Sequence, residues 1–151
     1  MSGWDHPDPF LLRLRVLPAH IDVLDPANNT VYAQWCQDVA WQHSAHLGMP
    51  PSAYRDLDRA MVLRQARYEY ILPALRDDGV DAGTWLVASD GRLNMRRHFQ
   101  LRRASDGVTL FRGDWDLVCI RISTGRATRM PPEFLASYQP AVINPVSGSP
   151  V

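Results

Sequence analysis

From Phe10 to Val16 the chain alternates, FLLRLRV, with Leu12, Leu14 and Val16 on one side and Arg13 and Arg15 on the other. A period of two predicts a half-buried strand, which Pro18 ends. From Pro26 to Leu47 the period lengthens. Tyr32, Trp35, Cys36, Val39, Ala40, His43 and Leu47 recur three and four apart and form one stripe of a long helix. Asp25 is the expected N-cap, with Pro26 in the first helical position, and Gly48 with Pro50-Pro51 forbids continuation. Residues 52–60 read as a short second helix. Four β-rich runs follow, at 61–72, 84–89, 93–103 and 108–122, with Asp90-Gly91 and Asp106-Gly107 as hairpin turns. PPEFLASY (131–138) reads as a short terminal helix begun by Pro. Residues 1–9 are expected to be a flexible leader, 10–138 the folded domain and 139–151 a loose tail.

The order is strand, long helix, then a meander of about four strands. The apolar stripe of the helix must be buried, and a curled antiparallel sheet is the partner the sequence offers. The expectation is an α+β domain with the sheet wrapped round one helix. Its free edge strands favour a homodimer or homotetramer. A length of 151 residues with 46% hydrophobic content suits one core, and 21% charged residues argue against both disorder and a membrane protein. The formal net charge of zero argues against nucleic acid as a partner bound by bulk charge. That zero is a sum of two biased halves. Residues 1–50 hold two Arg against five Asp, whereas residues 51–151 hold fourteen Arg against eleven acids; Lys is absent. Cys36 and Cys119 make no disulfide framework, and the N-terminus lacks a basic stretch followed by an apolar run, so the expected compartment is the cytoplasm.

Several chemistries lack their motifs: there is no G-x-S-x-G, P-loop, dinucleotide fingerprint or H-E-x-x-H. Cys36 falls on the apolar stripe, where a small hydrophobe is the ordinary role. His20, His43 and His46 could be assembled into a metal site, but nothing fixes a third ligand, and the expectation is no metal. Asp22 stands just before the helix, near backbone N–H groups of Asn28, Asn29 and Thr30 that have no intrahelical acceptor. Such a terminus can polarise a carbonyl oxygen, and a carboxylate beside it can act as base or nucleophile. An Asp here can equally be a helix cap, the commoner role.

HIDVLDPANNTVYAQW (20–35) resembles the first signature of hot-dog-fold thioesterases of the 4-hydroxybenzoyl-CoA thioesterase type, approximately D-x-D-x-x-G-x-V-x-N-x-x-Y-x-x-W/Y. Asp22, ten residues before Tyr32, takes the place of the family's catalytic Asp. Asn28 and Asn29 match its N-N pair, and Trp35 matches its later aromatic. YEYILPAL (68–75), TWL (84–86), RRHFQLRR (96–103) and TGRATRMPPEF (124–134) resemble the second half, and the last also looks like bacterial relatives of plant acyl-ACP thioesterases. Asp25 replaces the family's Gly, Pro26 its frequent His, and His20 the first acid of D-x-D, so the helix entry differs and holds a second carboxylate. Asp38 matches an acidic position common in the family but reads as a solvated acid.

The resemblance implies hydrolysis of acyl-CoA, or acyl-ACP, without metal, Ser or any cofactor beyond the coenzyme A of the substrate. Asp22 would activate water or attack directly, with the backbone N–H of Asn29 as the foremost oxyanion donor and Asn28 and Tyr32 lining the substrate. Coenzyme A carries phosphates that Arg suits, and Arg64, Arg67, Arg96 and Arg97 on two strands are the expected group, with Arg102 and Arg103 further along. A non-catalytic acyl-CoA-binding hot-dog module is the alternative. A hot-dog dehydratase is disfavoured because neither Glu69 nor Glu133 lies on the long helix.

Overall fold

The computed structural model describes residues 3–21 and 26–143. Its elements are β1 (Phe10–Arg15), α1 (Asn29–His46), α2 (Pro51–Leu57), β2 (Arg59–Tyr70), β3 (Gly79–Ser89), β4 (Asn94–Arg103), β5 (Thr109–Arg121) and α3 (Pro132–Tyr138). The five strands form one antiparallel sheet in the order β1-β3-β4-β5-β2, and the class is α+β.

The meander holds only for β3, β4 and β5. β2 is not next to β3 but lies on the far side of β5, at the edge. The segment after β2 cannot turn back as a hairpin. Ile71 and Leu72 donate to Leu110 O, and Ala74 O accepts from Ala27 N–H at 2.8 Å. The vacated side of β3 is taken by β1, in register from Phe10 opposite Thr84 to Arg15 opposite Gly79. Arg13 and Asp81 face one another in that register, with Arg13 Nε 2.8 Å from the carboxylate. β3 starts five residues earlier than its β-rich core because Gly79, Asp81 and Gly83 are weak strand formers that pairing with β1 holds extended.

Both Asp-Gly turns are present, with Gly91 at φ 67° and Gly107 at φ 74°, a region glycine enters without strain. Asp90 organises the first. Its carboxylate accepts from the backbone N–H of Arg92, Leu93 and Asn94 and from the Asn94 side chain. Burial alone would raise its pKa, but these donors outweigh it and hold the group at about 2.

Contacts divide the chain into two compact units: Met1–Ala40, Tyr68–Thr84 and Phe99–Gly113 in the first, Trp41–Arg67, Trp85–His98 and Asp114–Val151 in the second. In the first, Val16, Tyr32, Trp35, Cys36, Val39, Val80, Phe99, Leu101, Leu110 and Phe111 are buried. Of the expected leader, residues 3–9 are described, and Trp4 and Asp5 have partners there. Trp4 lies against Gly83, where a Cβ would stand 2.8 Å from the indole, and Arg102 sits 4.5 Å over its ring. Asp5 takes a forked ion pair from Arg112 (2.8 and 3.0 Å), and the buried Gln100 bonds Asp5 N–H and Gly3 O. In the second unit Leu86, Met95, Trp115, Leu117, Cys119, Phe134 and Tyr138 are buried. Ser44 Oγ donates to Met49 O and meets Tyr138 Oη at 2.6 Å, and Tyr138 meets Tyr54 Oη at 2.5 Å. The start of the expected tail is also fixed, since Val142 bridges Leu86 and Ile143 N–H donates to Leu86 O. Residues 144–151 lie outside the described residues. Among the described residues no helix is long and apolar enough to cross a membrane.

Candidate active site

α1 starts at Asn29, three residues later than the Asp25-Pro26 start signal predicts. Ala27 and Asn28 precede the helix, and their N–H groups donate to Ala74 O and His20 O at 2.8 Å each. Ile21 bridges Ala27. The cap is Asn28, whose side-chain carbonyl accepts from Thr30 N–H and Thr30 Oγ at 3.0 Å. This is standard N-cap chemistry, in which a short polar side chain satisfies a first-turn donor. Asp25, expected in that role, lies outside the described residues, and so does Asp22.

The consequence for the first turn is specific. Thr30 N–H bonds the Asn28 side chain, and Val31 N–H bonds Asn28 O at 3.0 Å. Asn29 N–H has no acceptor among the described residues. A carbonyl oxygen brought there would gain a donor at the positive end of an 18-residue helix.

That donor borders a pocket of about 210 Å³ lined by Pro26, Ala27, Asn29 and Tyr32 on the helix side and Tyr70, Ile71, Leu72 and Pro73 on the other. Two bonds fix the walls to each other: Ala27 N–H to Ala74 O, and Ala74 N–H to Tyr32 Oη at 2.9 Å. Tyr32 is buried, stacked on Phe111 at 5.3 Å and met edge-on by Tyr70 at 5.4 Å. Burial raises its phenol pKa, so the group is neutral at physiological pH. Tyr70 is half exposed, and its O–H points to Asn29 O at 3.4 Å. Tyr70 and its three successors were not singled out from sequence. The available signal was an aromatic ending a β-rich run just before Pro73.

The four Arg expected at the phosphates belong to the second unit and fare differently. Arg64 and Arg67 are exposed on edge strand β2. Arg96 is half exposed and ion-paired to Asp116 at 2.9 Å. Arg97 points the other way and is buried, 3% exposed, with Nη1 2.9 Å from His43 Nδ1. A guanidinium so enclosed is not a surface phosphate ligand, which corrects the expectation for this residue; strand alternation sends it inward and Arg96 outward. Burial lowers its pKa to about 10, still a cation at neutral pH. Arg67 and Arg96 line a 340 Å³ cleft with Gln65, Asp114 and Asp116. Its acids are engaged by Arg96 and by His98, which meets Asp114 at 2.8 Å. His20 and His43 also have structural partners, Leu17 N–H for the first and Arg97 for the second.

Residues 16–137 match the thioesterase-like superfamily, and the chain belongs to that superfamily. Its fold is the hot-dog fold. Among solved structures it is similar to a thioesterase-superfamily protein from Jannaschia sp. (15% identity, TM-score 0.81, covering 91% of this chain and 95% of that one). It is also similar to a Staphylococcus aureus protein in complex with CoA (16%, TM-score 0.80, 89% and 86%). A third is the 1,4-dihydroxy-2-naphthoyl-CoA thioesterase from Synechocystis (16%, TM-score 0.76, 85% and 95%). Among curated protein sequences, none matches this chain.

Proposed function

We propose that the protein hydrolyses acyl-CoA, or acyl-ACP, to a free acid and a thiol. The observation that carries this reading is an Asn29 N–H without an acceptor among the described residues, at the edge of an apolar-walled pocket, in a chain of the thioesterase-like superfamily. The thioester oxygen accepts from Asn29 N–H, which stabilises the negative charge it gains as the carbonyl carbon becomes tetrahedral. Asp22 is the base or nucleophile. What supports it is the signature match and its position next to Ile21, which is bridged to Ala27 two residues before α1. As base, Asp22 removes a proton from water as the oxygen adds to carbon; the C–S bond then breaks and the thiolate leaves. As nucleophile, it forms a mixed anhydride with loss of thiolate, and water opens the anhydride. Arg64 and Arg67, exposed on edge strand β2, remain the Arg assigned to the coenzyme A phosphates, on exposure alone. A homodimer or homotetramer is part of the same proposal.

Thiol release from a panel of acyl-CoA and acyl-ACP thioesters tests the reading with two variants that isolate the groups. Asp22→Ala is expected to lower kcat by at least about 100-fold. Asn29→Pro is tolerated at the first helical position yet deletes the N–H, and is expected to cost about 100- to 1,000-fold in kcat. Asn29→Ala keeps that N–H and is expected to keep most of the rate. Full activity in Asp22→Ala would sink that assignment. Binding of acyl-CoA without turnover would favour the non-catalytic module.

A further inference from the structure

We propose that His20 is a positioning residue for the Asn29 N–H and acts on it through Asn28; this rests on the thioesterase reading above. The direction of that N–H is set by the peptide plane between Asn28 and Asn29, because the plane is rigid and carries the donor. Asn28 is held through its carbonyl oxygen, which accepts from Val31 N–H at 3.0 Å, through its side chain, which accepts from Thr30 N–H at 3.0 Å, and through its own N–H, which donates to His20 O at 2.8 Å. The first two bonds lie within the helix and its cap, and move with them. The third ties the helix start to the 3₁₀ turn Pro18–His20 that follows β1.

The imidazole of His20 closes that turn. Nδ1 accepts from Leu17 N–H at 2.9 Å while His20 N–H donates to Leu17 O at 2.9 Å, so the two residues hold each other reciprocally. A ring nitrogen that accepts an N–H carries no proton of its own, which places the imidazole proton on Nε2. The ring stands edge-on to Trp35, with 5.5 Å between centroids, and Trp35 is buried on α1. One residue on, Ile21 bridges Ala27. His20 therefore grips the helix twice, by its ring at Trp35 and by its carbonyl at Asn28, and the bond from Leu17 fixes the ring and the carbonyl relative to each other. A side chain without an acceptor there leaves Leu17 N–H to water and frees the turn to shift, and His20 O shifts with it. A misplacement of about 1 Å can cost about 100-fold in rate. His20 touches no reacting atom in this scheme; it aims the group that does.

The test compares His20→Phe, which keeps an aromatic edge for Trp35 but loses the acceptor, with His20→Asn, whose side-chain oxygen can take the place of Nδ1. Each is measured alone and together with Asn29→Pro, which deletes the donor, on acetyl-, hexanoyl-, palmitoyl- and benzoyl-CoA. Circular dichroism checks that each variant is folded, and His20→Leu stands in for His20→Phe if that one is not, with the same expectations. His20→Phe is expected to lower kcat about 10- to 100-fold while KM changes less than about threefold, as for an interaction made in the transition state. His20→Asn is expected to recover kcat to within about threefold of wild type. With Asn29→Pro already present, His20→Phe is expected to cost less than about twofold more, because the donor it aims is gone. Amide exchange at Asn28 is expected to speed at least about tenfold in His20→Phe, while exchange at Ala74, held by Tyr32, changes less than about twofold. Full kcat in His20→Phe, an equal loss in His20→Asn, losses that multiply in the double variant, or unchanged exchange at Asn28 would overturn the inference. If wild type releases no thiol, or Asn29→Pro keeps the full rate, the thioesterase reading or its donor fails instead. Exchange at Asn28 then decides, by the same criterion, whether His20 holds the helix start.

Discussion

Asn28 and Asn29 are adjacent and identical, yet the fold gives them opposite parts. Asn28 contributes a side-chain acceptor that closes Thr30 N–H, and Asn29 contributes a backbone donor that nothing among the described residues closes. Asn28→Ala is expected to cost about 1 kcal/mol of stability, the usual value of an N-cap, and Asn28→Asp to recover most of it; urea midpoints measure both. Tyr32 shows how a residue assigned to the substrate becomes part of the frame, since its hydroxyl is the acceptor for the fully buried Ala74 N–H. Tyr32→Phe keeps the ring stack and leaves that N–H unsatisfied. The expected loss is about 1–3 kcal/mol, seen in denaturant unfolding, with faster exchange of the Ala74 amide. The tyrosine at the tenth position after Asp22 was legible in the sequence, but the partner of its hydroxyl was not, because that partner is 42 residues away.

Among the elements, the N-terminal segment departs most from expectation. A stretch with two Pro and two Asp has little to nucleate structure by itself. Its partners are distant: Gly83 leaves a seat for Trp4 on β3, and Arg112 and Gln100 receive Asp5. Gly83→Val is expected to unseat Trp4, lowering stability by about 1–3 kcal/mol, with a red shift in tryptophan emission as the check. β2 teaches the complementary point. Its β-rich composition was plain, but its neighbour was set by where the crossing segment after Tyr70 is pinned. The same pinning forms the far wall of the candidate site, so strand order and site are one outcome.

For the whole molecule, stability should depend on pH through His43. It is nearly buried; burial, the Arg97 cation and His46 together lower its pKa to about 3, against 6.5 in an unfolded chain. The unfolded state therefore binds the proton first. Stability is complete above about pH 6.5 and falls as pH drops toward 3, by at most about 1.4 kcal/mol per pH unit. Thermal midpoints are expected to decline between pH 7 and 4.5, and to decline less in His43→Gln, which lacks the titrating ring and can still accept from Arg97. The charge bias of the sequence acquires a spatial meaning here: of the Arg-rich half, Arg97 is enclosed, Arg96, Arg103 and Arg112 are paired with Asp, and Arg64 and Arg67 lie exposed. Periodicity alone determined that there is a long amphipathic helix, that strands precede and follow it, and that two glycine turns join three of them, because those patterns depend on residues a few positions apart. Tertiary structure alone decided the helix start at Asn29, the crossing of β2 and an Asn29 N–H that no described residue accepts from. Each of these depends on which distant backbone group takes a given hydrogen bond, and local spacing carries no record of that.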